Sequence, residues 1–257
     1  MESQLFESKI YLVTGGAAGI GLATTAQLLS HGAYVYAVDL SKDPSKELSA
    51  LPQERLTYEQ CDVRDRKRCH EVVTSIVEKH GRLDGLVNNA GICPLEGEMP
   101  GDDVFEEVYG VNVRGVWNMG TEALTVMREQ KGGNVVNIGS ISSSHGVARI
   151  PLYTSSKHAV LGLTRTWALD FAKYGVRVNC VAPGPTDTQM SRTPLQTVMG
   201  PKYGGNKTDD ELLELVAATI PLGKIGRPED IANMINFFMS DLACFITGQI
   251  VHVSGGQ

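Results

Sequence analysis

The sequence predicts one doubly wound α/β domain over residues 1–257, a parallel sheet with helices on both faces. Two patterns carry this reading. Apolar runs of four to six residues recur along the chain, and most end in glycine, proline, asparagine or aspartate. Runs of that length without alternation suit strands buried on both faces, as in a parallel sheet. Between them lie stretches whose apolar residues repeat at helical spacing.

The elements follow in order. Ile10–Val13 runs into Thr14-Gly15-Gly16, and Ile20–Ser30 then places apolar residues at 20, 22, 23, 26 and 28–29. Tyr34–Val38 ends at Asp39, and a third apolar segment precedes Asp62-Val63. Cys69–Val77 repeats at 69, 72, 73, 76 and 77, as one helix face does. Leu83–Val87 leads into Asn88-Asn89-Ala90-Gly91, and Val135–Ile138 into Gly139-Ser140. A helix opening near Tyr153 continues through Ala159–Leu169, and Val176–Val181 leads to Pro183-Gly184-Pro185. Asp230–Met239 follows Arg227-Pro228-Glu229, with proline where a first helical turn tolerates it. Ile250–Val253 is the last strand. Neither a linker nor a repeat interrupts this alternation. One long insertion, Thr186–Ile220, separates a strand from the next helix, and long ordered insertions are usually functional.

Composition excludes several function classes. A chain of 257 residues can remove roughly 70–75% of its unfolded surface from water, so it needs no disulfide or metal staple. Lys and Arg number 23 against 29 Asp and Glu, a net charge of −6 without a basic face. That argues against nucleic acid and anionic membrane as partners. No run of about 18 apolar residues is long enough to span a bilayer. Met1–Ser8 carries Glu2 and Glu7 and no apolar stretch, unlike a signal peptide. Five cysteines without a C-x-x-C pair read as reduced, mostly buried thiols of a cytoplasmic protein.

Three spacings carry chemistry. Gly15, Gly19, Ile20 and Gly21 form a G-x-x-x-G-x-G turn between the first strand and its helix. Backbone N–H groups and the helix dipole can receive a pyrophosphate there, although tight strand–helix packing would need similar glycines. Asp39 ends the second strand, 24 residues after Gly15. An acid at that place accepts bonds from a ribose 2′-OH and repels a 2′-phosphate. No Lys or Arg stands between Gly15 and Gly21 or at position 40, so NAD is expected over NADP. Asp62-Val63 holds the analogous strand end. Tyr153 and Lys157 lie at i and i+4, on one helix face, with Ser140 thirteen residues upstream of Tyr153 at a strand end. A phenol acting as acid/base near neutrality must have its pKa brought down from near 10, at roughly 4 kcal/mol. The charge of Lys157, with that of an oxidised nicotinamide, is expected to supply this. Tyr203 and Lys207 repeat the spacing, but Gly204-Gly205 breaks the helix that would align them.

With these residues in order, the chain resembles the short-chain dehydrogenases/reductases from Ile10 to Gly256. The matching pieces are Thr14–Gly21, Asp62, Asn88–Gly91, Asn112, Ser140, Tyr153 with Lys157, and Pro183-Gly184 followed by Thr188. The resemblance implies a Rossmann-type sheet of seven parallel strands with the site at their carboxyl ends. It implies Tyr153 as general acid/base and Ser140 as the group orienting the substrate oxygen. Lys157 is implied to lower the phenol and hold the nicotinamide ribose, and Asn112 to support a water linking the lysine to solvent. A plain helix-bend asparagine would also give Asn112. Asn89, Ala90 and Gly91 are implied beside the cofactor ribose, with Pro183, Gly184, Thr186 and Thr188 near the nicotinamide amide. A homo-oligomer, tetramer or dimer, is implied as well. His145 and His158 read as structural, and Cys93 as unreactive.

The expected function is hydride transfer between NAD and a secondary alcohol or ketone. Apolar residues of the insertion, among them Met190, Leu195, Val198, Met199 and Leu212, suggest a mobile lid over a mid-sized hydrophobic substrate. The alternatives are an NADP-dependent acyl-thioester ketoreductase and a non-catalytic dinucleotide-binding module. The second has no need of Ser140, Tyr153 and Lys157 together.

Overall fold

Strand β1 (Ile10–Thr14) leads through α1 (Gly19–Ser30) to β2 (Tyr34–Asp39), and the short α2 (Lys46–Ser49) precedes β3 (Leu56–Gln60). Helix α3 (Arg66–His80), β4 (Gly85–Asn88), α4 (Asp102–Tyr109), α5 (Val116–Gln130) and β5 (Gly133–Ile138) follow. Next come α6 (Pro151–Phe171), β6 (Val176–Pro183), α7 (Gln189–Arg192), α8 (Asp209–Ala217), α9 (Pro228–Met239) and β7 (Ile250–Val253). This is a computed structural model, and it describes residues 5–192, 195 and 207–257.

All seven strands pair in parallel in the order β3-β2-β1-β4-β5-β6-β7. The chain winds outward from β1 to β3, returns beside β1 as β4, and then winds the other way. The crevice outside the carboxyl ends of β1 and β4 is therefore the switch point where such sheets bind ligands. Strand alternation divides the core. Ile10 and Leu12 face a layer with Ile76 of α3, Met119 and Leu124 of α5, and Trp167 of α6. Tyr11 and Val13 face the other layer, with Leu28 of α1 and Ile235 and Phe238 of α9. Both faces are covered, which explains the unbroken apolar runs.

Edge strand β3 differs. Its residues Leu56–Gln60 are all partly or fully exposed, so its sequence lacks an apolar run. Helices start earlier than their first apolar residue: α3 begins at Arg66, capped by the Asp65 side chain on the Arg68 N–H. Three cysteines (Cys61, Cys69 and Cys180) are buried, Cys93 is intermediate, and Cys244 is exposed. No described helix is long and apolar enough to cross a membrane. Within the expected lid, residues 193, 194 and 196–206 lie outside the described ones, and with them Val198, Met199 and Tyr203. Its described parts include buried Leu195 and Leu212 and exposed Met190.

Candidate active site

The glycine turn is built by close approach. Gly15 has φ +62°, and a Cβ on Gly21 would lie 2.0 Å from the Gly15 carbonyl oxygen, so neither position accepts a side chain. Asn89 Nδ2 donates to the Thr14 and Gly15 carbonyls at 3.0 Å each, and the Asn89 and Ala90 N–H groups donate to Thr14 Oγ1 at 3.0 Å. The turns after β1 and β4 are thereby stapled into one surface. Helix α1 starts on Ala18 with no side-chain cap and no acid in its first turn. Its first N–H groups keep the dipole end available, which fits a pyrophosphate.

The acids after β2 and β3 are differently engaged. Asp39 accepts from the Ala17 N–H at 3.2 Å and the Leu40 N–H at 2.8 Å, which holds its carboxylate against the glycine turn. Asp62 is gripped by Arg64, whose Nε lies 3.0 Å from both carboxylate oxygens and whose Nη2 lies 2.7 Å from Oδ2. That guanidinium holds the Asp62 carboxyl below the ordinary carboxylate range. Asn118 on α5 donates to the Val63 and Arg64 carbonyls at 2.9 and 3.1 Å, fixing this loop. Neither Arg64 nor Asn118 belongs to the spacings read from sequence, because each acts through contacts only the fold creates.

Ser140 closes β5, and Tyr153 and Lys157 share one face of α6. The Ser140 hydroxyl accepts from the Ser142 N–H at 3.1 Å, and it acts on the Tyr153 phenol in the direction that favours ionisation. Lys157 is 5% exposed; its Nζ donates to the Ile138 carbonyl at 2.9 Å and sits 5.6 Å from the Tyr153 ring centroid. Asn112, fully buried in a π-helical turn over Gly110–Gly115, exchanges bonds with Ile92 at 2.8 and 2.9 Å and donates to Ser156 Oγ at 3.0 Å. A Cβ on Gly91 would lie 3.4 Å from both Asn112 Oδ1 and Lys157 Nζ, so these three positions converge.

Burial pushes the Tyr153 phenol up to about 12, and the neighbouring Ser140 pulls the other way. The Lys157 ammonium is tied to the Ile138 carbonyl and lies over the ring face. Burial also pushes Lys157 down to about 8. A buried ammonium costs stability, and at pH 7 both folded and unfolded chains carry that charge. Lys157→Met should therefore raise the thermal midpoint at pH 7 by several degrees, about 2 kcal/mol at 2–4 °C each. The advantage should shrink as pH rises from about 8 toward 10.5, where the native lysine sheds its proton first. A melting series in which it widens would contradict this.

Beyond β6, the Thr186 hydroxyl donates to the Gly184 carbonyl at 3.0 Å. A Cβ on Gly19 would meet the Thr188 methyl at 3.3 Å, so this segment closes beside the glycine turn. Pro183 ends β6 in register with Val253 of β7. Arg192 grips Asp187 at 2.7 and 2.9 Å and reaches Asp210 at 3.3 Å, tying α7 to α8. His145 is exposed, and His158 bonds the Thr154 carbonyl through Nδ1 at 2.9 Å. Burial pushes the Cys93 thiol up to about 11, the direction of an inert thiol. A polar cleft of about 980 Å³ opens at the opposite end of the sheet, beside Arg82, Gln130 and Arg177, and shares no residue with this site.

Comparison with known proteins places the sequence and fold within one family. A family model described as enoyl-(acyl carrier protein) reductase matches residues 15–257. The 3-oxoacyl-[acyl-carrier-protein] reductase FabG of Thermotoga maritima is 38% identical over 97% of this chain and 98% of its own. The 3alpha-hydroxysteroid dehydrogenase of Mediterraneibacter gnavus is 34% identical over 98% of this chain and 97% of its own. The crystal structure of a levodione reductase superposes with a TM-score of 0.90 at 32% identity, covering 98% of each chain.

Proposed function

The chain belongs to the short-chain dehydrogenase/reductase family, and from that premise we propose an NAD-dependent oxidoreductase that interconverts a secondary alcohol and a ketone. The observation that carries the reading is the Lys157 ammonium, 5.6 Å from the Tyr153 ring centroid and bonded to the carbonyl of Ile138, two residues before Ser140. In oxidation, Tyr153 Oη, ionised to the phenolate, takes the alcohol proton while the Ser140 hydroxyl donates a hydrogen bond to the substrate oxygen. In reduction the phenol returns that proton. NAD, when bound, supplies the hydride acceptor. The residues to hold it are Gly15, Gly19, Ile20 and Gly21 at the pyrophosphate, Asp39 at the ribose, and Asp62 and Val63 at the adenine. Asn89, Ala90, Gly91, Tyr153 and Lys157 would border the nicotinamide ribose, and Pro183, Gly184, Thr186 and Thr188 the amide. Asn112 would support a water linking Lys157 to solvent.

NAD is favoured over NADP by charge. Asp39 sits against the glycine turn, and both Asp39 and Asp43 act on the Tyr58 phenol, whose pKa is raised chiefly by burial. A 2′-phosphate there would meet like charge.

For substrate, a mid-sized hydrophobic alcohol or ketone fits the apolar members of the insertion and the hydroxysteroid and levodione enzymes among the relatives. The second reading, an NADP-dependent acyl-thioester ketoreductase, is favoured by the 38% identity to a 3-oxoacyl reductase. Nicotinamide absorbance would separate them. Cyclohexanol, menthol and a hydroxysteroid with NAD should each be compared with acetoacetyl-CoA and NADPH. Faster turnover of the thioester would favour the second reading. The segment Thr186–Ile220 is proposed to wall the substrate, so its limited proteolysis should slow when NADH and substrate are both present. Unchanged cleavage would contradict that role. The same reading includes a cytoplasmic homo-oligomer.

A further inference from the structure

We infer that Glu96 is a positioning residue: its carboxylate braces the first turn of α6 and fixes the main chain of Tyr153 against Ser140. The catalytic consequence rests on the oxidoreductase reading; the brace itself does not.

Helix α6 starts without a cap of its own. Ile150 precedes it at φ −135° and ψ 55° with no side-chain bond, and Arg149 before it has φ +69°. Pro151 opens the helix and has no N–H, so Leu152 and Tyr153 carry the next unpaired donors. Both point at one carboxylate. The Leu152 N–H donates to Glu96 Oε2 at 2.6 Å and the Tyr153 N–H to Glu96 Oε1 at 2.7 Å. The Thr154 N–H already bonds inside the chain, to the Ile150 carbonyl at 3.0 Å. The acceptor is thus a buried acid, 9% exposed, supplied from a residue 56 positions away. Such a charge belongs at a helix N-terminus, where the dipole and two charge-assisted bonds stabilise it.

The other end of the same loop is also tied to α6. Asn112 exchanges bonds with both polar groups of Ile92 and donates to Ser156 Oγ, which donates to the Tyr153 carbonyl at 2.7 Å. A closed circuit results. The Tyr153 N–H is held through Glu96, and its carbonyl through Ser156, Asn112 and Ile92. Residues 92–96 therefore lie along the helix start as a strap, anchored at both ends to the residue that carries the phenol. An ordinary cap would stabilise a helix; this one also sets where Tyr153 stands relative to the strands that present Ser140 and the glycine turn. Misplacement by about 1 Å costs on the order of 10²-fold in rate.

The test uses Glu96→Ala, which removes both acceptors, and Glu96→Gln, which keeps one. With cyclohexanol and NAD, kcat should fall about 30-fold in Glu96→Ala and severalfold in Glu96→Gln. KM, NADH affinity by fluorescence and the thermal midpoint of Glu96→Gln should stay within about twofold or a few degrees of wild type. Amide hydrogen exchange, read on the NADH-bound protein without any substrate, should show Leu152 and Tyr153 protected in wild type and at least about tenfold faster in Glu96→Ala. Unchanged kcat in Glu96→Ala, or a loss of kcat matched by NADH affinity and stability, overturns the positioning role. Equal exchange in wild type and variant overturns the brace. A wild type that oxidises no alcohol counts against the oxidoreductase reading, and the exchange result then decides the brace alone.

Discussion

Tyr153→Phe should lower turnover about 10³-fold or more while NADH still binds within about twofold of wild type. The change deletes the one oxygen that exchanges the proton and keeps the ring on which Lys157 rests. Ser140 retains its bond from the Ser142 N–H, so the loop after β5 should hold its shape. Tyr203→Phe, in the other Y-x-x-x-K, should leave the rate nearly unchanged. Steady-state kinetics with fluorescence titration of NADH checks both variants. Equal losses in the two would remove Tyr153 from the acid/base role. Because burial holds the phenol near 12 in the protein alone, alcohol oxidation should also speed up as pH rises from neutrality.

Asp39→Ala combined with Leu40→Arg should swing the preference for NAD over NADP by about 100-fold or more toward NADP. Removing the carboxylate removes the repulsion of a 2′-phosphate, and a guanidinium adds charge-assisted bonds of about 1.5–3 kcal/mol. Asp39 also receives the Ala17 N–H, so the variant should lose some efficiency with NAD as the glycine turn loosens. The ratio of kcat/KM for the two cofactors measures it. A wild type already faster with NADP would overturn the reading of Asp39.

Most of the sheet was legible because its strands are buried on both faces. Such strands write continuous apolar runs, and the glycine, asparagine and proline turns that follow are where the site sits. Strand β3 was not bounded from sequence, since an edge strand of partly exposed residues has no such run. The π-helical turn at Gly110–Gly115 left no periodic signal; only Asn112 marked it. The Tyr153–Lys157 pair of the candidate site was readable because the two are close in sequence as well as in space. Glu96, Arg64 and Asn118 were not, since their partners depend on which turns the fold brings together. One signal for Glu96 was present: Ile150 stands where a Ser, Thr, Asp or Asn cap is expected before Pro151, so another group had to receive the helix N–H groups. Spacing places a lysine on the same helix face, but only the structure tells that its ammonium is tied to the Ile138 carbonyl.

The central proposal is hydride transfer from a secondary alcohol to NAD, and isotope transfer tests it most directly. The best alcohol of the panel, deuterated at the carbinol carbon, should be incubated with wild-type protein and NAD, and the cofactor examined by mass spectrometry. The expected result is one deuterium in each reduced cofactor, formed from NAD in preference to NADP. Ketone formation without deuterium in the cofactor, or no reduced cofactor from any alcohol, would contradict it.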